Sequence, residues 1–296
     1  VRVLIIGGGG MLGHKLAQVY RNRFETWATV RSSFREYESF DLFDSERVIG
    51  GVDVFDFDTI IRAFAVARPD VAVNAVGVIK QLPTAKDPIV ALTINSLFPH
   101  KLASLCQASG SRLITLSTDC VFNGRRGMYT EEMVADAEDL YGRTKYLGEA
   151  VGPQSLTLRT SIIGRELGSA HSLVEWFLSN RGGKVKGFTK AIYTGFPTIV
   201  MAEIIADLIE NHQDLSGLYH VSSEPINKYE LLRLIRDAYR ISVEIEPDEN
   251  FQIDRSLDSS RFREATNFSP ASWREMIEAM AADATSYEEW RNRSVS

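Results

Sequence analysis

Val3-Leu4-Ile5-Ile6-Gly7-Gly8-Gly9-Gly10-Met11-Leu12-Gly13 is the stretch that decides the fold class of this chain. Four apolar residues in an unbroken row read as a strand buried on both faces, the pattern of a parallel sheet covered on either side. Gly7, Gly10 and Gly13 follow in the spacing G-x-x-G-x-x-G, and the residues after them, through Tyr20, read as a helix. Such a turn is tight, lets backbone N–H groups at Gly10, Met11 and Leu12 approach a pyrophosphate, and aims a helix N-terminus at its charge. Four consecutive glycines elsewhere would read as a flexible loop. The strand before them and the helix after them argue for a dinucleotide site.

Working outward, a second strand is expected at 25–30, ending at Arg31-Ser32-Ser33, which lies 18 residues beyond Gly13. An acidic residue here would bind a ribose 2′-hydroxyl, whereas an arginine accommodates a 2′-phosphate. No carboxylate lies between Trp27 and Arg35, so NADP(H) is favoured over NAD(H). Asp53-Val54 precedes a helix that Asp56 or Asp58 can cap, running to about Ala67. Val71-Ala72-Val73-Asn74-Ala75-Val76-Gly77 is another fully apolar strand with small residues at its end, where open α/β sheets admit their ligands. A loop at 79–88 and a long helix at 89–109, stopped by Gly110, follow.

Strand and helix then alternate once more around the chemistry. Arg112-Leu113-Ile114-Thr115-Leu116-Ser117-Thr118 delivers two hydroxyls at a strand end, and 23 residues after Thr118, Tyr141-Gly142-Arg143-Thr144-Lys145 opens a helix expected to reach 152–153. Tyr141 and Lys145, four apart, share one helix face. A tyrosine has a reference pKa of about 10, and an ammonium held close favours its phenolate, which suits a proton exchanged near neutral pH. A hydroxyl from Thr118 or Ser117 is placed to bind the oxygen being protonated. Beyond a strand at 155–160 the rhythm changes: a helix at 172–180, a Gly/Lys-rich turn at 182–187, a helix at 199–211, strands at 217–221 and 243–246, a helix at 228–239, and a helical tail carrying Trp273, Met276, Met280 and Trp290. The alternation calls for a mostly parallel sheet with helices on both faces.

An apolar fraction of 44% and a charged fraction of 24% are those of a globular protein and exclude a disordered chain. A formal charge of −6 leaves no basic excess to neutralise phosphates and argues against a nucleic-acid partner. No apolar run suggests a membrane span, and 1–6 reads as a buried strand rather than a signal peptide, so a cytoplasmic protein is expected. Cys106 and Cys120 suggest no disulfide framework, and the five histidines show no metal-ligand spacing, so no metal is expected.

Taken together, these residues resemble the extended short-chain dehydrogenase/reductases, and within them the dTDP-4-dehydrorhamnose reductase-like branch. The resemblance covers nearly the whole chain and is carried by Gly7, Gly10 and Gly13, Asp53-Val54, Asn74-Ala75, Asn95, Ser117-Thr118-Asp119-Cys120-Val121-Phe122, Tyr141-Gly142-Arg143-Thr144-Lys145 with Gly148-Glu149, and Arg159-Thr160-Ser161. It implies a Rossmann-type doubly wound parallel sheet with a smaller C-terminal substrate-binding α/β region. Residues 1–164, with 191–221 returning, would form the dinucleotide-binding part, and 165–190 with 222–296 the substrate-binding part. It also implies that Tyr141 is the catalytic acid, that Lys145 binds the nicotinamide ribose and lowers the tyrosine pKa, and that Thr118 holds the substrate oxygen. Asp53 would meet the adenine and Asn95 would support the proton path, while Val76, Gly77 and Thr160 would line the cofactor. Ser117, Asp119, Cys120 and Ile162 would face the substrate.

Two positions depart from the branch: Cys120 and Ile162 stand where tyrosine and tryptophan are usual, both looking onto the sugar pocket. The implied activity is NADP(H)-dependent reduction of a 4-keto-6-deoxy nucleotide sugar for surface polysaccharide precursors. One alternative is a nucleotide-sugar epimerase or dehydratase of the same fold. A dehydratase needs a second carboxylate after the threonine, and Cys120 stands there. The other alternative is a non-catalytic NADP-binding regulatory subunit. A homodimer paired through the Tyr141 helices is compatible with the resemblance.

Overall fold

Strand β1 (Arg2–Ile6) alternates its side chains between two cores. Val3 and Ile5 enter the larger cluster on one face, and Leu4 and Ile6 the cluster on the other. Burying each such side chain contributes roughly 1.5–3 kcal/mol, so this short strand ties two helical layers to one sheet. The computed structural model describes residues 1–78, 86–168 and 170–287.

After β1 come α1 (Gly13–Tyr20), β2 (Glu25–Thr29), β3 (Val48–Ile49), α2 (Phe57–Ala67) and β4 (Val71–Asn74). A continuous helical stretch follows as α3 (Pro88–Ala91), a π-helical segment (Leu92–Leu97) and α4 (Phe98–Ser109). Next are β5 (Arg112–Thr118), α5 (Leu140–Leu147), β6 (Ser155–Thr160), β7 (Ile162–Ile163), α6 (Leu173–Ser179), β8 (Lys184–Tyr193), β9 (Phe196–Pro197), α7 (Thr198–Glu210) and β10 (Gly217–His220). The chain closes with β11 (Ile226–Asn227), α8 (Lys228–Ala238), β12 (Glu244–Asp254), α9 (Ser260–Thr266) and α10 (Trp273–Ala281).

Seven strands form one parallel sheet in the order β10-β6-β5-β4-β1-β2-β3. This is the Rossmann-type doubly wound α/β architecture. The strand order reverses between β1 and β4, so the turns after these strands open onto the crevice where such sheets take their ligands. A second sheet, β11-β8-β12, lies within the C-terminal half of the sequence, and β7 pairs with β9.

Several local expectations are corrected. The Tyr141 helix ends at Leu147, about five residues early, because it packs directly on the π segment: a Cβ on Gly148 would overlap the Asn95 carbonyl oxygen. The long helix begins at Pro88, capped by Asp87, and carries the π turn that the sequence did not announce. Of the loop expected at 79–88, residues 79–85 lie outside the described residues, as does Trp290. The 182–187 turn is mostly strand. From Lys184 to Gly187, exposed and buried residues alternate, and lysines 184, 186 and 190 pair with acids of β12, among them Lys184 with Glu244 at 3.3 Å, Lys186 with Asp248 at 3.0 Å and Lys190 with Glu249 at 3.1 Å. The same pairing extends the short strand expected at 243–246 into the eleven-residue β12. The helix Pro88–Ser109, at 22 residues, reaches the length and apolarity of a membrane span, contrary to expectation. Its Phe98, Leu102 and Cys106 are buried in the core cluster that includes β1, β4 and β5 residues.

Candidate active site

The turn after β1 is held by its neighbour β2: Gly7 N donates to Thr29 Oγ1 at 3.1 Å and Gly8 N to Thr29 O at 2.7 Å. Gly13 starts α1 so close beneath this turn that a Cβ there would overlap the Gly7 carbonyl oxygen. The helix has no side-chain cap at Leu12. Among the described residues, the amides of Met11 and Leu12 find no protein acceptor, whereas the Gly10 amide, also expected at the pyrophosphate, donates to Gly7 O at 3.1 Å. Unpaired amides at a helix N-terminus fit a pyrophosphate. Beneath the turn, His14 Nδ1 meets Gly10 O at 2.8 Å and Nε2 meets the Tyr287 hydroxyl at 2.8 Å. Burial holds the His14 pKa down at about 3, so the ring is neutral.

At the end of β2, Arg31 is exposed, with Nε 3.9 Å from Asp53 Oδ2. Asp53 Oδ1 accepts from Phe55 N at 3.0 Å, which fixes the Asp53-Val54 corner. Ser32 contributes its carbonyl to Gly51 N at 3.2 Å. The turn after β4 is built from Asn74, whose Nδ2 donates to Thr115 Oγ1 at 3.1 Å and whose Oδ1 accepts from Val76 N at 3.1 Å. Ala75 N continues onto Ile6 O at 3.0 Å, and Val76 lies against Gly7. Gly77 neighbours Asn95. The Asn95 side chain grips the Val78 backbone at 3.0 Å and 3.3 Å and reaches Thr144 Oγ1 at 3.4 Å. Asn95 thus joins the β4 turn to the Tyr141 helix.

Thr118 ends β5 in register with Thr160 of β6. Its hydroxyl accepts from Cys120 N at 3.1 Å and donates to Asp119 Oδ1 at 3.1 Å. Tyr141 lies beside it on α5, capped by Asp139, which accepts from Gly142 N at 2.8 Å. Burial raises the phenol pKa above its usual value, with Cys120 adding to the rise and the Thr118 hydroxyl opposing it. The expected lowering by Lys145 is not among the effects on the phenol, and the lysine Nζ donates to Leu116 O at 2.6 Å. Burial brings Lys145 itself down to about 8, opposed by Glu149.

Ser117 is not brought to this pocket. Successive side chains on a strand face opposite ways, and Ser117 Oγ donates to Glu149 Oε1 at 2.6 Å. Glu149 is held by Arg159 through two bonds of 2.7 Å, the arginine also meeting His220 Nε2 at 3.2 Å and lying over the Phe122 ring at 5.3 Å. Asp119 is buried, which raises its pKa against the pull of Arg255 and Lys228. Arg255 donates to Phe122 O at 2.8 Å and approaches Cys120 Sγ at 3.8 Å, and burial pushes the Cys120 thiol up to about 12. Ile162 starts β7, opposite Phe196. Sequence reasoning missed Arg255, Lys228 and Tyr193. Each comes from the later half of the chain, and no local pattern marks it.

Residues 1–286 match the model of the RmlD substrate binding domain. The chain is 30% identical over 256 residues to methionine adenosyltransferase 2 subunit beta of Mus musculus, covering 81% of this chain and 72% of that protein. It is 29% identical over 237 residues to a probable low-salt glycan biosynthesis reductase of Haloferax volcanii, covering 74% of each. A hypothetical dTDP-4-dehydrorhamnose reductase from Sulfolobus tokodaii superposes with a TM-score of 0.76 at 26% identity, over 92% of this chain and 98% of that one. The dTDP-4-dehydrorhamnose reductase of Bacillus anthracis, solved in complex with NADP, shares the fold with a TM-score of 0.77 at 21% identity, over 94% and 98%. A nicotinamide dinucleotide fits the free amides of Met11 and Leu12 and the crevice beside them, and by the match across its length this chain belongs to the family of the RmlD substrate binding domain.

Proposed function

We infer that the protein reduces the keto group of a 4-keto-6-deoxy nucleotide sugar with NADP(H), in the cytoplasm, for surface polysaccharide precursors. The observation that carries this reading is the meeting of Thr118, Tyr141 and Lys145 at the C-terminal edge of the sheet, two strands from the glycine turn. When bound, the nicotinamide supplies a hydride. Met11 and Leu12 amides hold its pyrophosphate, Arg31 its 2′-phosphate, and Asp53, Asn74, Ala75, Val76, Gly77 and Thr160 line it. Thr118 orients the substrate carbonyl oxygen, and Tyr141 delivers the proton to it. A phenol whose pKa burial has raised is fully protonated at neutral pH, the form that a reduction requires of its acid. Lys145, near 8, changes charge close to the working pH and exchanges Leu116 O for the ribose hydroxyls. We assign cofactor binding to 1–164 with 191–221, and substrate binding to 165–190 with 222–296.

A second reading, a cofactor-binding subunit without turnover, is favoured by one observation: the Lys145 ammonium donates to a backbone carbonyl and is not among the charges that act on Tyr141. A relative named as the beta subunit of a methionine adenosyltransferase supports a subunit role. Mixing the protein with NADPH or NADH and a panel of dTDP- and UDP-linked 4-keto-6-deoxy sugars, while following absorbance of the reduced nicotinamide, separates them. Oxidation of NADPH with one sugar supports the reductase. Tight NADPH binding with no oxidation across the panel supports the subunit.

A further inference from the structure

β8 ends at Tyr193, which is only 7% exposed; Ser161 lies near its hydroxyl, but no atom among the described residues meets it with hydrogen-bond geometry. A buried hydroxyl without a partner is unfavourable, so its retention asks for a ligand. Tyr193 lies where the two sheets meet. Its ring packs on Trp273 with centroids 5.6 Å apart, and its hydroxyl sits over Gly195 beside Ser161, close enough that a Cβ on Gly195 would overlap both the phenol and the Ser161 carbonyl. Ser161 directly follows Thr160, the register partner of Thr118. The phenol therefore stands just past the C-terminal edge of the large sheet, one strand from the threonine that faces Tyr141. In the small sheet Tyr193 pairs with Ile226, and Lys228, the first residue of α8, follows two residues on. Asp119 and Cys120 act electrostatically on Tyr193, on Lys228 and on Tyr141. Two tyrosines thus neighbour one acidic turn, and only Tyr141 has a part in the reaction described above.

Resting on the reductase reading, we propose that the Tyr193 hydroxyl contacts the substrate directly, exchanging a hydrogen bond with a ring hydroxyl of the nucleotide sugar next to the carbon that is reduced, and so selects the sugar. A phenol both donates and accepts, which matches a sugar hydroxyl and gives no advantage toward an apolar group.

Tyr193→Phe tests this with dTDP-4-dehydrorhamnose as the probe. Three outcomes are expected: a thermal midpoint of the substrate-free protein that is equal or higher, because no bond is lost; an unchanged Kd for NADPH; and a KM for the sugar raised about tenfold with kcat altered less than about twofold, the scale of one neutral hydrogen bond. A lowered midpoint would mean that the hydroxyl is bonded within the fold, and an unchanged KM that it touches no substrate; either overturns the proposal. If the wild type oxidises NADPH with no sugar of the panel, the proposed activity falls by itself. The Tyr193 contact is then judged by the thermal shift that dTDP-4-dehydrorhamnose induces: a smaller shift in Tyr193→Phe than in wild type sustains it, and equal shifts, including none, overturn it.

Discussion

Replacing Lys145 with methionine should stabilise the folded protein at pH 7 while abolishing turnover. Burial lowers the Lys145 pKa from 10.5 to about 8, and at 1.36 kcal/mol per unit that difference is at most ~3.4 kcal/mol. The side chain keeps some contact with solvent and gives up a 2.6 Å bond to Leu116 O, so about 1–2 kcal/mol of net gain is expected. For 296 residues, an unfolding entropy of roughly 2.1 cal/mol/K per residue converts this into a rise of about 2–3 °C in thermal midpoint. The sign follows from linkage. Between pH 8 and 10.5 the unfolded chain keeps the lysine proton and the folded chain releases it, so wild-type stability climbs through that window relative to the methionine variant. The advantage of Lys145→Met is therefore complete below about pH 8 and gone by about 10.5. Paired urea melts of the two proteins at pH 7, 9 and 10.5 measure it, since other titrating groups cancel in the difference. A lower midpoint for the variant at pH 7, or a difference that does not change with pH, would refute the claim that this ammonium is held in the fold against its preference for water.

Tyr141→Phe removes only an oxygen, so turnover should fall by about 10²–10⁴-fold while the thermal midpoint and NADPH affinity hold; near-normal turnover with a lowered midpoint would make the tyrosine structural. Arg31→Asp should weaken NADPH binding by about 1–3 kcal/mol and leave NADH binding nearly unchanged, and equal losses for both cofactors in titration calorimetry would remove the arginine from the 2′-phosphate. Glu149→Ala leaves the buried Arg159 guanidinium without its bidentate partner and should destabilise the fold by about 3–5 kcal/mol, whereas Glu149→Leu with Arg159→Met should recover most of that loss in urea denaturation.

The residues around Thr118 show where reading along the chain succeeds and where it stops. Thr118 and Tyr141 can be singled out from sequence because each stands at an element boundary with its own signal, an apolar strand ending in hydroxyls and a helix beginning after Asp139. Ser117, one residue earlier, carries the same hydroxyl, yet it serves the Glu149–Arg159 pair. The alternation of strand side chains separates the two, and only the packing of β5 against its neighbours says which face is the pocket. The 182–187 stretch fails for a related reason: glycines and lysines suggest a turn until the acids of β12, some sixty residues away, are seen opposite them.

By itself the sequence determines the doubly wound class, the position of the glycine turn and the order of strands and helices through β6 except the two-residue β3, because hydrophobic period and turn chemistry are local and repeat along the chain. Tertiary structure alone decided the direction of the Lys145 ammonium, the length of the Tyr141 helix and the arrival of Tyr193, Lys228 and Arg255 around Asp119. Lys145 turns to Leu116 O because that carbonyl is the acceptor within its reach. The helix stops at Gly148 because the π segment leaves no room for a side chain there. The later residues converge because β10 returns to the large sheet while β8, β11 and β12 form their own. All of these depend on which distant surfaces meet, and contacts made at long sequence separation leave no trace in the spacing of the residues that make them.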